Sequence, residues 1–308
     1  MKRALILLCV LACYAGSGSS SPRAAQVFGD WSAPINPGPP LNTPSNDNYA
    51  VLSKDQLTIY FTSNRTGGLG GDDLWFATRE SVDSPWRDPQ NMPAPINTVY
   101  TDSLPFLSPN EHVLYFYSSR PGCGVPPLGD IWMTRRRNKH SAWEEPTNLG
   151  CVLNTPADDI APAFFEDPET DEGWLFYGSN RSGSADFDVY ASPLGKHGLA
   201  GPGILVPQFS SPRRDTRIFV RKDGLEAFIT SDRVGSHGID IWVSTRDTLS
   251  DLWSVPTNLG FPFNSTADDG SPWLSKDGST LYFFSTRTDV GAQGGRDIWY
   301  TTRVKLDD

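Results

Sequence analysis

The sequence predicts an all-β chain folded as a five-bladed β-propeller, with four antiparallel strands per blade and the ring closed by an N-terminal strand. Three observations carry this. One stretch recurs five times, each recurrence sits among four strand-like pieces, and the two ends of the chain hold complementary parts of one blade.

The recurring stretch is "YFTSNRTGGLGGDDLW" at 60–75, which returns as "YFYSSRPGCGVPPLGDIW", "FYGSNRSGSADFDVY", "FITSDRVGSHGIDIW" and "YFFSTRTDVGAQGGRDIW". Its arginines are Arg65, Arg120, Arg181, Arg233 and Arg287, spaced 55, 61, 52 and 54 residues apart. That period marks a propeller or a solenoid. In each unit a first strand follows an aspartate, as in "SLPFLS" or "GSPWLS". A turn such as "KDG" leads to a second strand, "TLYFFS", and the glycine loop joins that to a third, "DIWYTTR". A fourth resembles "WEEPTNLG" at 143–150 or "WSVPTNLG" at 253–260. None shows the 3.6-residue apolar period of a helical repeat. The 28 glycines, 26 prolines and 36 aromatic residues suit short strands, tight turns and an aromatic core.

The ends complete the ring. "WSAPINPGPPLN" at 31–42 has the fourth-strand pattern but precedes the first full unit, whereas the last unit stops at "DIWYTTR". The N-terminal segment is therefore expected to supply the last blade's missing strand and remove two exposed edges. Residues 26–308 read as one propeller domain, with no room for a separate catalytic domain.

Residues 1–25 read as an export signal and tether. Lys2 and Arg3 precede the apolar run Ala4–Ala12, too short to span a bilayer, and no other stretch approaches membrane length. Val10-Leu11-Ala12-Cys13 resembles a lipobox, so two outcomes stand: a lipid anchor on Cys13, or cleavage and release to the periplasm or beyond. Only Cys123 and Cys151 remain after such a signal. In an up-and-down blade, the loop joining strands two and three shares a face with the loop leading to the next blade. Cys123 lies in the former and Cys151 in the latter, both at blade two, which predicts a disulfide.

The stretch "LSKDGSTLYFFSTR…GGRDIWYTTR" resembles the TolB-type, WD-like propeller repeat of bacterial envelope proteins, over about residues 30 to 303. The resemblance implies the propeller fold and a binding or scaffold role for a protein, peptide or glycan partner in the envelope. The OmpA-like, peptidase and TolB N-terminal domains attached to relatives are absent, and their activities do not carry over.

Asp47, Asp102, Asp159, Asp215 and Asp269 stand just before the five first strands, and Asp73, Asp130, Asp188, Asp240 and Asp297 before the third strands. A feature of every blade is first a blade-building device: aspartate accepts turn amides, and arginine offers a fork to carboxylates or carbonyls. A second reading attaches to the first set. Five carboxylates ringing one channel mouth would attract a cation such as Ca2+ or a polyhydroxylated ligand. No organic cofactor is expected. Blade four departs from the repeat with "TRIFVR", and Arg213, Arg214 and Arg217 give it a cationic edge, with His237 in its glycine loop. Tyr49 and Trp273, near the starts of two first strands, offer stacking surface.

The formal net charge of −10 opposes nucleic-acid binding, which needs a basic face. There is no G-x-S-x-G elbow and no H-E-x-x-H motif. His112, His140 and His197 read as solvated loop residues. The primary expectation is thus a monomeric, non-catalytic binding module. The alternative is a glycoside hydrolase or lyase using channel-mouth carboxylates, since several five-bladed propellers are glycosidases and that chemistry takes a carboxylate pair.

Overall fold

The computed structural model describes residues 28–124, 126–184, 186–195 and 198–306. The expected export signal with Cys13, and His197, lie outside the described residues. Five four-stranded antiparallel sheets form the blades. Blade one holds β2 (Asp47–Leu52), β3 (Thr58–Ser63), β4 (Asp73–Thr78) and β5 (Gln90–Asn91). Blade two holds β6 (Asp102–Leu107), β7 (Val113–Ser118), β8 (Asp130–Arg135) and β9 (Thr147–Asn148). Blade three holds β10 (Asp159–Glu166), β11 (Gly173–Ser179), β12 (Asp188–Leu194) and β13 (Ile204–Leu205). Blade four holds β14 (Asp215–Val220), β15 (Glu226–Ser231), β16 (Asp240–Thr245) and β17 (Thr257–Asn258). Blade five joins β18 (Asp269–Leu274), β19 (Thr280–Ser285) and β20 (Asp297–Lys305) to the first strand of the chain, β1 (Phe28–Trp31).

The closure begins slightly earlier than the fourth-strand pattern suggested. β20 runs on to Lys305, so Phe28 pairs with Lys305 and Trp31 with Arg303, and Ile35 then bridges Tyr300. The Arg303 guanidinium carbon lies 3.8 Å from the centre of the Phe28 ring and 4.3 Å from that of Trp31, fixing the clasp through cation–π contact as well as the ladder.

Every innermost strand opens with an aspartate and bulges next to it, at Asn48/Val51, Ser103/Phe106, Ile160/Ala163, Asp215/Arg217 and Gly270/Trp273. In four of them the third residue has positive φ: Tyr49 (56°), Leu104 (57°), Ala161 (55°) and Ser271 (54°). For bulky Tyr49 and Leu104 this backbone is strained, and the surrounding ladder must hold it. Bulges at one end of every inner strand bend the sheet beside the channel mouth.

The glycine loop now has a physical account. At Gly70 a Cβ would stand 2.0 Å from the Tyr100 carbonyl oxygen and 2.8 Å from that of Thr98, so only glycine lets the loop meet the next blade's backbone. Asp73, at the start of β4, accepts the loop amide of Leu69 and, at 3.2 Å, that of Gly70, while Asn91 of β5 donates to it at 3.1 Å. Asp130 and Asp297 do the same work, taking Cys123 N–H at 2.5 Å and Gln293 N–H at 2.6 Å. The loop is a turn held by the following strand's aspartate.

Cys123 and Cys151 are bonded, with Cα atoms 5.5 Å apart, joining the glycine loop of blade two to the segment leading into blade three. This accords with an exported chain folding in an oxidising compartment.

Candidate functional site

The first aspartate set lies below the mouth. All five side chains are inaccessible, and each pairs with the arginine of its blade: Asp47–Arg65 and Asp215–Arg233 at 2.6 Å, Asp102–Arg120, Asp159–Arg181 and Asp269–Arg287 at 2.7 Å. The second carboxylate oxygen of each is held as well, by the backbone amide four residues upstream. Asp47 Oδ2 accepts the Thr43 amide and hydroxyl, both at 2.7 Å, and Oδ1 accepts Ser63 Oγ at 2.6 Å beside Arg65. Arg65 in turn donates to Pro40 O at 3.2 Å and stacks on Trp75, 5.3 Å from the ring centre. The expected ring of open carboxylates is therefore a ring of neutralised ion pairs stitching each blade to the segment before it. Among the described residues no group of three or more His, Cys, Asp or Glu side chains is arranged to hold a metal ion. The donors a calcium ion would want are already committed to arginine, amides and hydroxyls.

One residue upstream of each repeated aspartate, the fivefold pattern breaks. The residue before each third strand (Asp72, Gly129, Phe187, Ile239, Arg296) accepts through its carbonyl the amide of the next blade's first aspartate, at 2.6 to 3.1 Å. The residue before each first strand (Asn46, Thr101, Asp158, Arg214, Asp268) sits beside it. These ten positions form the rim of the mouth, and their side chains differ from blade to blade. The rim carries carboxylates at Asp72, Asp158 and Asp268, from three separate junctions, and guanidinium groups at Arg214 and Arg296.

The environments of these groups differ. Asp158 Oδ1 accepts Gly129 N–H at 2.8 Å and the Tyr117 hydroxyl at 3.1 Å. Burial, with the Asp158 charge, pushes that phenol well above its ordinary range. Asp268 Oδ1 accepts Ile239 N–H at 3.0 Å. Asp72 is half-buried, and its carboxylate has no hydrogen-bond partner among the described residues. Burial raises its pKa, with the nearby Arg296 charge acting against the rise and Asp73 adding to it. Arg296 donates to the Tyr49 hydroxyl at 3.3 Å and lies over Phe284, whose ring Tyr49 meets edge-on at 5.6 Å.

Of the other expected site residues, Tyr49 is at the mouth, and Arg213, Arg214 and His237 are exposed around it. Trp273 is not: it is buried lower in the channel, 6.5 Å from Phe219, which in turn lies 6.2 Å from Phe106. These three rings plug the channel from blades two, four and five. Arg217 lies in the channel as well, reaching from blade four to donate to Pro105 O of blade two at 3.0 Å. It is 1% exposed, and among the described residues its Nε and Nη1 have no partner.

A second cavity, of about 800 Å3, runs between blades one and two and is lined by Tyr60, Arg79, Arg87, Arg136 and Trp143. Its arginine–tryptophan stacks, Arg79 on Trp86 and Arg136 on Trp143, recur as Arg246 on Trp253 and Arg303 on Trp31. A device repeated in four blades is a packing element, and the rim remains the candidate site.

The fold and rim together describe a five-bladed propeller with carboxylates from separate blades around one mouth. No protein-family model matches the sequence, and no curated protein does. Among solved structures the chain is similar to the endo-arabinase from Bacteroides thetaiotaomicron VPI-5482, at 15% identity and a TM-score of 0.57, over 90% of this chain and 99% of that one. It is similar to the α-L-arabinofuranosidase from Podospora anserina solved with cellotriose, at 10% identity and a TM-score of 0.57, over 90% and 98% of the two chains. A thermostable family-43 glycoside hydrolase matches at 11% identity and 0.53, over 88% and 93%. At these identities the likeness establishes the fold.

These findings correct the sequence-based resemblance. The three solved structures named above are glycosidases, and no family model supports a TolB-type or WD-like repeat. The quoted motifs are the ion pairs, loop aspartates and close-approach glycines that build a blade, so they mark architecture and not that family. The expectation of a non-catalytic scaffold module for a protein partner rested on that resemblance and on the equivalence of the five buried aspartates. It is corrected with it.

Proposed function

We propose that this chain is an exported glycoside hydrolase acting at the rim of the channel mouth. The observation that carries the reading is Asp72, a half-buried rim carboxyl with a raised pKa and no hydrogen-bond partner, in a ring that also holds Asp158 and Asp268. Glycosidic hydrolysis takes one carboxyl that keeps its proton and one that does not. Asp72 serves as the acid, passing its proton to the departing glycosidic oxygen as the C–O bond breaks. Asp158, its Oδ1 held by Gly129 and Tyr117, presents Oδ2 as the base that takes a proton from the water adding to the anomeric carbon. Asp268 accepts sugar hydroxyls, and Tyr49 gives the ring a surface to rest on. The similarity to the endo-arabinase and to the α-L-arabinofuranosidase solved with cellotriose supports a glycan as the partner.

The test is release of reducing ends from a panel of neutral and acidic oligosaccharides. Asp72→Asn should lower the rate by roughly a hundredfold or more, the usual contribution of a general acid, while leaving the melting temperature in place. A panel that yields no product with the wild-type chain, or an Asp72→Asn variant as fast as wild type, refutes the assignment.

A further inference from the structure

The rim at blade four differs from the rest in charge. Arg213 and Arg214 are adjacent and exposed, and among the described residues neither guanidinium is paired with a carboxylate. The Arg214 guanidinium lies over the buried Phe187 ring, 5.1 Å from its centre, which limits its freedom. Arg213 borders a surface cavity of about 550 Å3 shared with Asp232, Ser236 and Asp268. The Asp232 and Asp268 carboxylates there are partly committed, accepting Arg214 N–H at 2.8 Å and Ile239 N–H at 3.0 Å. Beneath the same blade stands Arg217, a buried cation that among the described residues has no carboxylate partner and two unpaired donors. Burial lowers its pKa only to about 10, so it stays charged at neutral pH. An uncompensated charge in a low-dielectric channel projects its field toward the open mouth.

We infer that the blade-four rim binds the anionic group of an acidic glycan, a uronate carboxylate or a sulfate ester, with Arg213 and Arg214 as direct donors and Arg217 as a fixed positive charge below. Arginine suits both anions because its planar fork meets two oxygens at once. Free carboxylate oxygens of Asp232 and Asp268 in the same cavity accept hydroxyls of the flanking sugar. A chain of net charge −10 would otherwise repel such a ligand, so an unpaired arginine pair over a buried third cation is a local exception. The inference rests on the proposed rim site and names its substrate class.

Calorimetric titration with short oligogalacturonates, with sulfated oligosaccharides and with neutral arabino-oligosaccharides tests it. One acidic class should bind at least roughly tenfold tighter than the neutral one, the yield of one charge-assisted contact, and added salt should erode the difference. Whichever acidic class binds tighter identifies carboxylate or sulfate. Arg213→Gln/Arg214→Gln should lose roughly tenfold for the acidic ligand alone. Arg217→Met should also weaken acidic binding while its melting temperature holds or rises, an outcome that a purely structural role does not give. Equal affinity for acidic and neutral sugars, or variants that bind as wild type does, overturns the inference. Acidic binding without hydrolysis would defeat the hydrolase reading and leave this one standing, whereas hydrolysis of neutral glycans with no acidic preference does the reverse.

Discussion

Asp47→Asn tests whether the Asp–Arg pairs hold the ring together. Four donors converge on this carboxylate: the Thr43 amide and hydroxyl, Ser63 Oγ and Arg65 Nη2. An amide in its place turns an NH2 against two of them whichever way it faces, and it leaves Arg65, only 11% exposed, without its counter-charge. Removing one partner of a buried pair costs about 3–5 kcal/mol. For a domain of this size, at about 2 °C per kcal/mol, the melting temperature should fall by about 6–10 °C. Glu80→Gln is the control. Its pair with Arg87 has side chains 77% and 65% exposed, so its loss should cost less than about 1 kcal/mol. Differential scanning calorimetry of the two variants reads both numbers. If Asp47→Asn melts with Glu80→Gln, the pairs are ornaments and the account of the repeat is wrong. A cycle with Arg65→Met should also show strong coupling, the double variant being far less damaged than the two losses summed.

Gly70→Ala places a methyl against the Tyr100 and Thr98 carbonyls and should cost about 1–3 kcal/mol, read as a lowered urea midpoint. An unchanged midpoint would mean that the loop can stand off from the next blade. Reducing the Cys123–Cys151 bond, which closes a 28-residue separation, should remove about 3–4 kcal/mol. Urea unfolding with and without reductant measures this, and a difference within error removes the disulfide from the stability account. Asp72 should titrate above the ordinary aspartate range, because burial penalises its charged form. Its contribution to stability is full below the unfolded pKa and is lost as pH rises through the folded one. Arg296→Gln removes the charge opposing the rise, so the carboxyl 13C titration of Asp72 should move further up, and the alkaline limb of any hydrolytic activity with it; a downward move refutes the pairing.

The architecture was legible because it is repeated. Five copies of one arginine, two aspartates and a glycine loop gave the blade count, the strand order and the face shared by Cys123 and Cys151. The same repetition hid the site. Asp47 and its equivalents drew attention because they recur, yet recurrence is what a buried ion pair serving every blade produces. The rim residues sit one position upstream, in "GDDLW", "ADDIAP" and "ADDGSP", where a second acid precedes the repeated one. Those doublets were the available signal for Asp72, Asp158 and Asp268. Trp273 was placed at the mouth by proximity to its strand start, but the bulge at Gly270/Trp273 carries the strand down into the channel, where its ring joins the plug. The solitude of Arg217 could not be read from composition, since it depends on what blade two presents across the channel.

The clasp between β1 and β20 also sets an order of events. It pairs residues as far apart as Phe28 and Lys305, so it closes nearly the longest loop the chain can make. In a chain made from its N-terminus, β1 has no partner until β20 exists, after the strands of the four preceding blades have been made. Until the clasp closes, blade five shows a bare edge at β20, and the strand that will cover it is the first part of the fold to leave the ribosome or cross a membrane. It must stay unpaired through the synthesis of the whole domain. A chain halted a few residues short of Arg303 would be left as an open crescent offering that edge to any extended neighbour.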